Sequence, residues 1–283
     1  MIIFFENGRL GNQLFQYCSL RHYFSNHNLI LLGCDDLQRC FGSLQARFIS
    51  KNMLSHSFLF RLLRRVVQFL VNARLLGRIT EDSDAKVFKL ALRKGLFWNI
   101  YVAQGVFFQH HDVVAKQHSF PDLRPELLKE AFDWLKKKGV DLEASSAVFV
   151  HIRRGDYLHF PSTQFPAVLD LDWYQRAMQS IQEEIKNPVF ILISDDQFYL
   201  HDIFEESDRL FISDNLPEID FALMSLCSSG ILSASSFAWW GAFYARSNQQ
   251  ISATFLAPKF WIGHRAKKWF PANFLTDWIT YFD

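Results

Sequence analysis

Two arginines stand side by side where an apolar run ends: Val148-Phe149-Val150-His151-Ile152 gives way to Arg153-Arg154-Gly155-Asp156. A buried strand that releases two guanidiniums at its C-terminal end suits phosphate, because each guanidinium can hold two phosphate oxygens through parallel N–H bonds. Alternation along the strand sends the two side chains to different sides, so the expectation is stronger for one arginine than for both. A diphosphate leaving group carries about two to three negative charges that grow as its bond breaks, and either a metal or arginines must meet them. The competing reading is structural: a pair of arginines tied to Asp156 or to Asp195-Asp196.

Three further groups could share that chemistry. In Ser233-Ala234-Ser235-Ser236-Phe237-Ala238-Trp239-Trp240-Gly241-Ala242, either Ser235 or Ser236 suits a helix N-cap, and a helix N-terminus with hydroxyls beside it attracts anions. Trp239 and Trp240 are read as core. Asp220 stands in Glu218-Ile219-Asp220-Phe221. A carboxylate there can accept both N–H donors on one edge of guanine, or it can be a first-turn acid favoured by the helix dipole. Spacing leaves both open. The opening loop, Gly8-Arg9-Leu10-Gly11-Asn12-Gln13, lacks the P-loop lysine and the dinucleotide fingerprint. Its glycines permit close backbone approach, and Asn12 and Gln13 can bond sugar or phosphate oxygens. Glu6 beside that loop and Asp156 after the arginines are the carboxylates that could take a proton from an incoming hydroxyl. Asp82-Ser83-Asp84, Asp170-Leu171-Asp172 and His110-His111-Asp112 are short acidic or histidine patterns that arise by chance, and no catalytic metal is expected.

These residues need elements to hold them. Ile2–Phe5 reads as an apolar strand that runs through a glycine-bearing turn into a helix at 14–24. Residues 58–76 have helical period, with Arg61, Arg64, Arg65, Gln68 and Asn72 on one face and Leu and Val on the other. That pattern fits an amphipathic surface helix; its alternative is a basic helix lying on an anionic membrane. The polar stretch 116–145 contains a helix at 126–138 that ends at Gly139, and the domain boundary is placed there. From Ala147–Ile152 onward, strands at 188–193, Leu210–Ile212, 230–233 and 251–257 alternate with helices at 173–186, 219–227 and 237–246. That rhythm predicts a parallel, doubly wound sheet with its site at the strand C-terminal ends.

Composition limits the partners. Thirty basic side chains against twenty-nine acidic ones leave a formal charge of +1, so no global field draws nucleic acid and any anion site must be local. Cys18, Cys34, Cys40 and Cys227 form no metal or disulfide spacing, which reads as a reduced, cytoplasmic chain. The N-terminus lacks signal-peptide character, and no apolar run is long enough to span a membrane.

Taken in order, the motifs resemble those of glycosyltransferase family 11, the α-1,2-fucosyltransferase family. The family's opening Gly-x-Leu-Gly-Asn-Gln-Met/Leu-Phe-Gln-Tyr is GRLGNQLFQY at residues 8–17. Its His-x-Arg-Arg-Gly-Asp-Tyr segment is residues 151–157, its Ser-Asp-Asp segment is residues 194–196, and its Asp-x-x-Leu-Met-Ser-x-Cys run is residues 220–227. Its Ser-Ser-Phe-Ser-Trp-Trp-Gly-Ala segment matches residues 235–242. The chain departs from the pattern at Ser228-Ser229, at Ala234 and across Gly105-Val106-Phe107-Phe108-Gln109-His110. The resemblance implies an α/β fold of the GT-B type, two Rossmann-like domains with a cleft between them. Residues 1–140 would face the acceptor and residues 141–283 would bind the GDP-sugar. It implies inverting, metal-independent transfer of fucose from GDP-fucose to the 2-hydroxyl of a galactose-like acceptor. It places His151 and Asp220 around guanine and Arg153, Ser235 and Ser236 on the diphosphate, with Arg154 beside them. Gly8, Arg9 and Asn12 fall in the sugar-facing loop, and Asp195 and Phe237 fall on the donor side. Its partners would be a nucleotide sugar and a glycan acceptor, with the inner membrane or a lipid-linked acceptor as a peripheral contact. The alternatives are a transferase for another GDP-sugar and a non-catalytic GDP-sugar or glycan-binding protein.

Overall fold

The computed structural model describes residues 1–51, 57–81, 90–97, 99–105, 107–109, 114, 120–142, 146–248, 253–268 and 275–283. Of the short patterns above, Asp82-Ser83-Asp84 and His110-His111-Asp112 lie outside the described residues. The chain divides into two compact α/β units, Met1–Arg124 and Pro125–Asp283.

In the first unit the strands are β1 (Ile2–Phe5), β2 (Leu29–Leu32), β3 (Arg47–Ile49), β4 (Gly77–Glu81), β5 (Leu90–Arg93) and β6 (Tyr101–Ala103). They form one sheet in the order β3-β2-β1-β6-β4-β5. Every pair is parallel except β4 with β5. Helix α1 (Leu10–Tyr23) follows β1, α2 (Asp35–Cys40) follows β2, and α3 (Ser57–Asn72) precedes β4. Helix α1 starts at Leu10, earlier than the expected 14, so Gly11, Asn12 and Gln13 belong to its first turn rather than to a loop. Buried polar bonds hold this start in place. Gln13 Nε2 donates to the Gly8 carbonyl, its Oε1 accepts from Leu37 N–H, and Gln16 Nε2 donates to the Asn7 carbonyl. Those bonds satisfy backbone groups that a loop packed over the helix would otherwise bury unpaired.

The second unit opens with α4 (Pro125–Lys137), which buries Ala131 and Leu135 and packs against a later helix of the same unit, Pro217–Leu226. The units therefore divide before this helix, ahead of the boundary expected at 140. Gly139, at φ +76°, still ends the helix: its N–H bonds the Lys136 carbonyl while Val140 N–H bonds the Leu135 carbonyl. Strands β7 (Ala147–Ile152), β8 (Val189–Ser194), β9 (Leu210–Ile212), β10 (Ser229–Ile231), β11 (Phe255–Pro258) and β12 (Thr280–Phe282) make an all-parallel sheet in the order β12-β11-β10-β7-β8-β9. Every residue of β7 and β8 is buried, as a sheet covered on both faces requires. On one face Val148, Val150, Ile152, Phe190 and Leu192 pack on Trp173, Tyr174, Ala177 and Ile181 of α5 (Leu171–Glu184). On the other face Phe149 approaches Phe255, whose ring meets Trp278, and Trp278 in turn meets Trp239. The remaining helices are α6 (Gln197–Ile203), α7 (Pro217–Leu226), α8 (Ser236–Asn248) and the short α9 (Gly263–Ala266). In strand order, β7 and β10 are neighbours although β8 and β9 both come between them along the chain. This is the point at which a doubly wound sheet reverses direction, where the strand ends leave a crevice for ligand.

Candidate active site

The C-terminal ends of β7 and β10 meet at that reversal. His151, the fifth residue of β7, is buried, and its Nδ1 lies 2.7 Å from Ser233 Oγ just beyond β10. Burial, with the Arg153 charge adding to it, pushes the imidazole pKa down to about 3, so the ring is neutral. Ser233 in turn sets the next turn of chain: its carbonyl accepts from Ser235 N–H at 2.7 Å. Ser235 Oγ accepts from Phe237 N–H at 3.2 Å, so Ser235 is the cap and Ser236 the first residue of α8. Phe237 bridges two elements, its ring centroid 5.5 Å from His151 and 5.4 Å from Phe221.

Phe221 adjoins Asp220, and that carboxylate is buried in the first turn of α7. Pro217 at the helix start fixes the turn, since its missing N–H is not needed there. Ser213 Oγ donates to Asp220 Oδ1 at 2.5 Å and accepts from Asn215 Nδ2 at 2.9 Å. Burial outweighs the Ser213 bond and raises the Asp220 pKa to about 8, with Asp214 and Glu218 adding to the rise. Asp220 is a first-turn acid of α7, where the helix dipole favours a carboxylate, and it is buried there, so both readings open from the sequence stand.

The arginines divide their work. Arg153 Nη1 pairs with Asp195 Oδ2 at 2.8 Å, and its Nη2 donates to Asp156 Oδ1. Arg154 donates its N–H to Asp195 Oδ1 at 2.9 Å and its Nε–H to Asp196 Oδ2 at 3.0 Å. The Arg154 guanidinium also lies 3.4 Å from the centre of the Tyr199 ring. Asp196 caps α6 by accepting from Tyr199 N–H, so Arg154 is fixed to the end of β8 and the helix that follows. A Cβ at Gly155 would displace the end of the Asp195 carboxylate that both arginines bond. Tyr157 Oη donates to the Ala234 carbonyl at 2.6 Å and ties the arginine turn to the serine segment. The second unit thus brings together His151, Arg153, Arg154, Asp156, Asp195, Asp220, Ser235, Ser236 and Phe237 around one end of the sheet. Ser233, Ser213, Tyr157 and Tyr199 join them and were not singled out from the sequence. Ser233 and Tyr157 fall inside the serine and arginine motifs, whereas Ser213 and Tyr199 carry no pattern of their own.

The first unit holds the other four candidates. Gly8 has φ +86°, and a Cβ there would strike Asn12. Asn12 Oδ1 accepts from Gln109 Nε2 at 2.6 Å. Arg9 is exposed as the residue before α1. Glu6 pairs with Lys51. Among the described residues no group of three or more His, Cys, Asp and Glu is placed to hold a metal ion. Asp172 of the Asp170-Leu171-Asp172 pattern bonds Arg176 at 2.9 Å.

A buried, reversed parallel sheet with arginines and a capped helix at its strand ends is the arrangement in which doubly wound α/β proteins hold anionic ligands. The sequence profile described as "Glycosyl transferase family 11" matches residues 92–281. The chain belongs to glycosyltransferase family 11 and is a glycosyltransferase. Among its relatives, the O-antigen biosynthesis glycosyltransferase WbnK of Escherichia coli is 26% identical over 94% of this chain and 94% of that enzyme. An alpha-1,2-colitosyltransferase of Escherichia coli is 34% identical over 42% of each chain. The galactoside 2-alpha-L-fucosyltransferase SEC1 of Bos taurus is 28% identical over 61% of this chain and 48% of that enzyme, so this chain spans about half of it. POFUT1 in complex with GDP shares the fold at a TM-score of 0.53 and 11% identity, over 90% of this chain and 97% of that one. A family 9 glycosyltransferase of Veillonella parvula does so at 0.53 and 8%, over 95% and 85%. The two α/β units are those of the expected GT-B type.

Proposed function

We propose that the protein transfers L-fucose from GDP-fucose to the 2-hydroxyl of a galactose-like residue on a glycan, with inversion and without a metal ion. The observation that carries this reading is the end of the second unit's sheet, where the Phe237 ring packs on buried His151 and on Phe221 beside buried Asp220, with Arg153 two residues past His151. Asp220 accepts the paired N–H donors of guanine, and His151 with Phe237 lines the base and ribose side. Arg153 gives up its bond to exposed Asp156 and takes the diphosphate, since a guanidinium has five N–H donors and keeps Asp195 as its anchor. Ser235 and Ser236 at the start of α8 meet the same phosphates, whose charge suits a helix N-terminus. Arg154 supports the turn through Asp195, Asp196 and Tyr199. As the glycosidic bond breaks, these donors take up the charge that grows on the leaving diphosphate. The resemblance to the family assigns Gly8, Arg9 and Asn12 of the first unit to the sugar. Glu6 or Asp156 takes the acceptor proton. Each is ion-paired, Glu6 with Lys51 and Asp156 with Arg153, and a loose transition state asks little of a base.

The 34% match to a colitosyltransferase favours a second reading, with a colitosyl donor in place of a fucosyl one. Calorimetric titration with GDP, GDP-fucose, GDP-mannose and GDP-colitose, in chelator, tests both. Micromolar GDP binding with added affinity for GDP-fucose, followed by transfer to a galactoside, is the expected result. Preference for GDP-colitose moves the reading to the second donor. Absence of GDP binding in folded protein overturns the site itself.

A further inference from the structure

Helix α3 carries apolar residues over more of its circumference than the sheet covers. Phe60, Val67 and Val71 are buried and pack with Phe5, Leu32, Leu76 and Val102 of the first unit. Five more apolar side chains point away from that core: Phe58 at 62% exposure, Leu59, Leu62, Val66, and Phe69 at 66%. At 3.6 residues per turn, Phe58, Leu62, Phe69, Val66 and Leu59 fall on one continuous sector. Arg65, Arg61 and Arg64 follow along one edge of it and are exposed. The segment just beyond the helix enlarges the surface. Leu96 N–H bonds the Arg74 carbonyl at 2.8 Å and Phe97 N–H bonds the Leu75 carbonyl at 2.9 Å. Those bonds set exposed Leu96 and Phe97 beside the helix's C-terminal end.

The charge on this surface has one sign. Residues 57–80 contain five arginines and no carboxylate, in a chain whose total charge is only +1. Exposed Lys94 adds to them. An exposed apolar sector of this size is unusual on a monomer facing water alone. A basic rim along large apolar side chains fits a bilayer surface, with rings and leucines at the acyl boundary and guanidiniums among anionic headgroups. A second copy of the chain would place like charges against each other, which counts against self-pairing.

We infer that the exposed face of α3, with Leu96 and Phe97, docks this enzyme on an anionic lipid bilayer. The inference rests on this surface alone, so it stands or falls independently of the donor. The test is flotation of the full chain with vesicles of phosphatidylcholine and of phosphatidylcholine mixed with phosphatidylglycerol, at low and high salt. Wild-type protein is expected to float with the anionic vesicles and to lose binding as salt rises. Leu62→Glu with Phe69→Glu should cut binding by about tenfold or more, since both side chains are exposed and their apolar contact is lost. Arg64→Gln with Arg65→Gln should weaken anionic binding by roughly tenfold or more, given the attraction of each arginine to an anionic surface. Circular dichroism and thermal unfolding of each variant, unchanged from wild type, establish that it is folded. Failure to float with either lipid overturns the inference, as does equal flotation with both or unchanged flotation of the variants. A dimer in sedimentation equilibrium that Phe69→Glu dissociates would also overturn it, by assigning the face to a second copy.

Discussion

His151 Nδ1 and Ser233 Oγ, 2.7 Å apart and both buried, join the ends of two strands that are adjacent in the sheet and distant in the chain. Removing the hydroxyl leaves a buried ring nitrogen without its partner. Ser233→Ala should cost about 1–3 kcal/mol in urea unfolding, whereas a surface serine would cost almost nothing. The same histidine sets an acid limit. The unfolded ring takes up a proton near its ordinary 6.5, while the folded ring resists until about 3. The unfolded state therefore binds more protons between those values, and stability falls as pH falls through that window. A His151→Gln protein should lose this part of the slope in unfolding measured from pH 7 to 4.

Asp220 has the opposite sign. Its folded pKa is raised from 3.8 to about 8, so the folded carboxyl holds a proton that the unfolded chain has released. Its contribution to stability declines as pH rises across that range, and Asp220→Asn should flatten the decline. Guanine donors favour the ionised carboxylate, so GDP binding should expel a proton near neutral pH and tighten as pH rises towards 8. Calorimetry in buffers of different ionisation enthalpy reads that proton directly. Asp220→Asn should abolish the release and lower GDP affinity more than ADP affinity.

Arg153 holds exposed Asp156 and partly buried Asp195, and only the first is free to be exchanged for phosphate. Arg153→Ala should lower turnover at saturating donor by ~100-fold, or roughly 3 kcal/mol of barrier. Arg153→Lys should recover little of it, because an ammonium cannot hold Asp195 and two phosphate oxygens together. Near-normal turnover in Arg153→Ala would remove this residue from the mechanism.

Gly230 of β10 sits opposite Phe149 of β7, and a Cβ there would collide with the phenyl ring. Gly230→Ala must push apart the two strands that carry Ser233 and His151. A loss of about 1–3 kcal/mol in thermal unfolding is expected, together with weaker GDP binding. Gly155→Ala displaces only the end of the Asp195 side chain, so it should reduce donor affinity with a smaller loss of stability.

The chain order alone determined much of the second unit. Ala147–Ile152 was readable with its final bounds, because a strand buried on both faces is a continuous apolar run between polar turns, and the partly buried edge strand Leu210–Ile212 was readable as a shorter run of the same kind. The arginine pair, the capping serines and Asp220 were likewise visible as residue types in motifs. The first unit was far less legible. Its strands β2 to β6 run three to five residues each, too short for a pattern, and β1 pairs with Leu29–Leu32 on one side and Tyr101–Ala103 on the other. Only tertiary structure decided which carboxylates hold Arg153 and Arg154, and that Ser213 and Ser233 back Asp220 and His151. It also decided how much of the apolar arc of α3 the sheet covers. Helical period shows where apolar side chains point, but burial, and with it every shifted pKa in the site, depends on what distant segments bring against them.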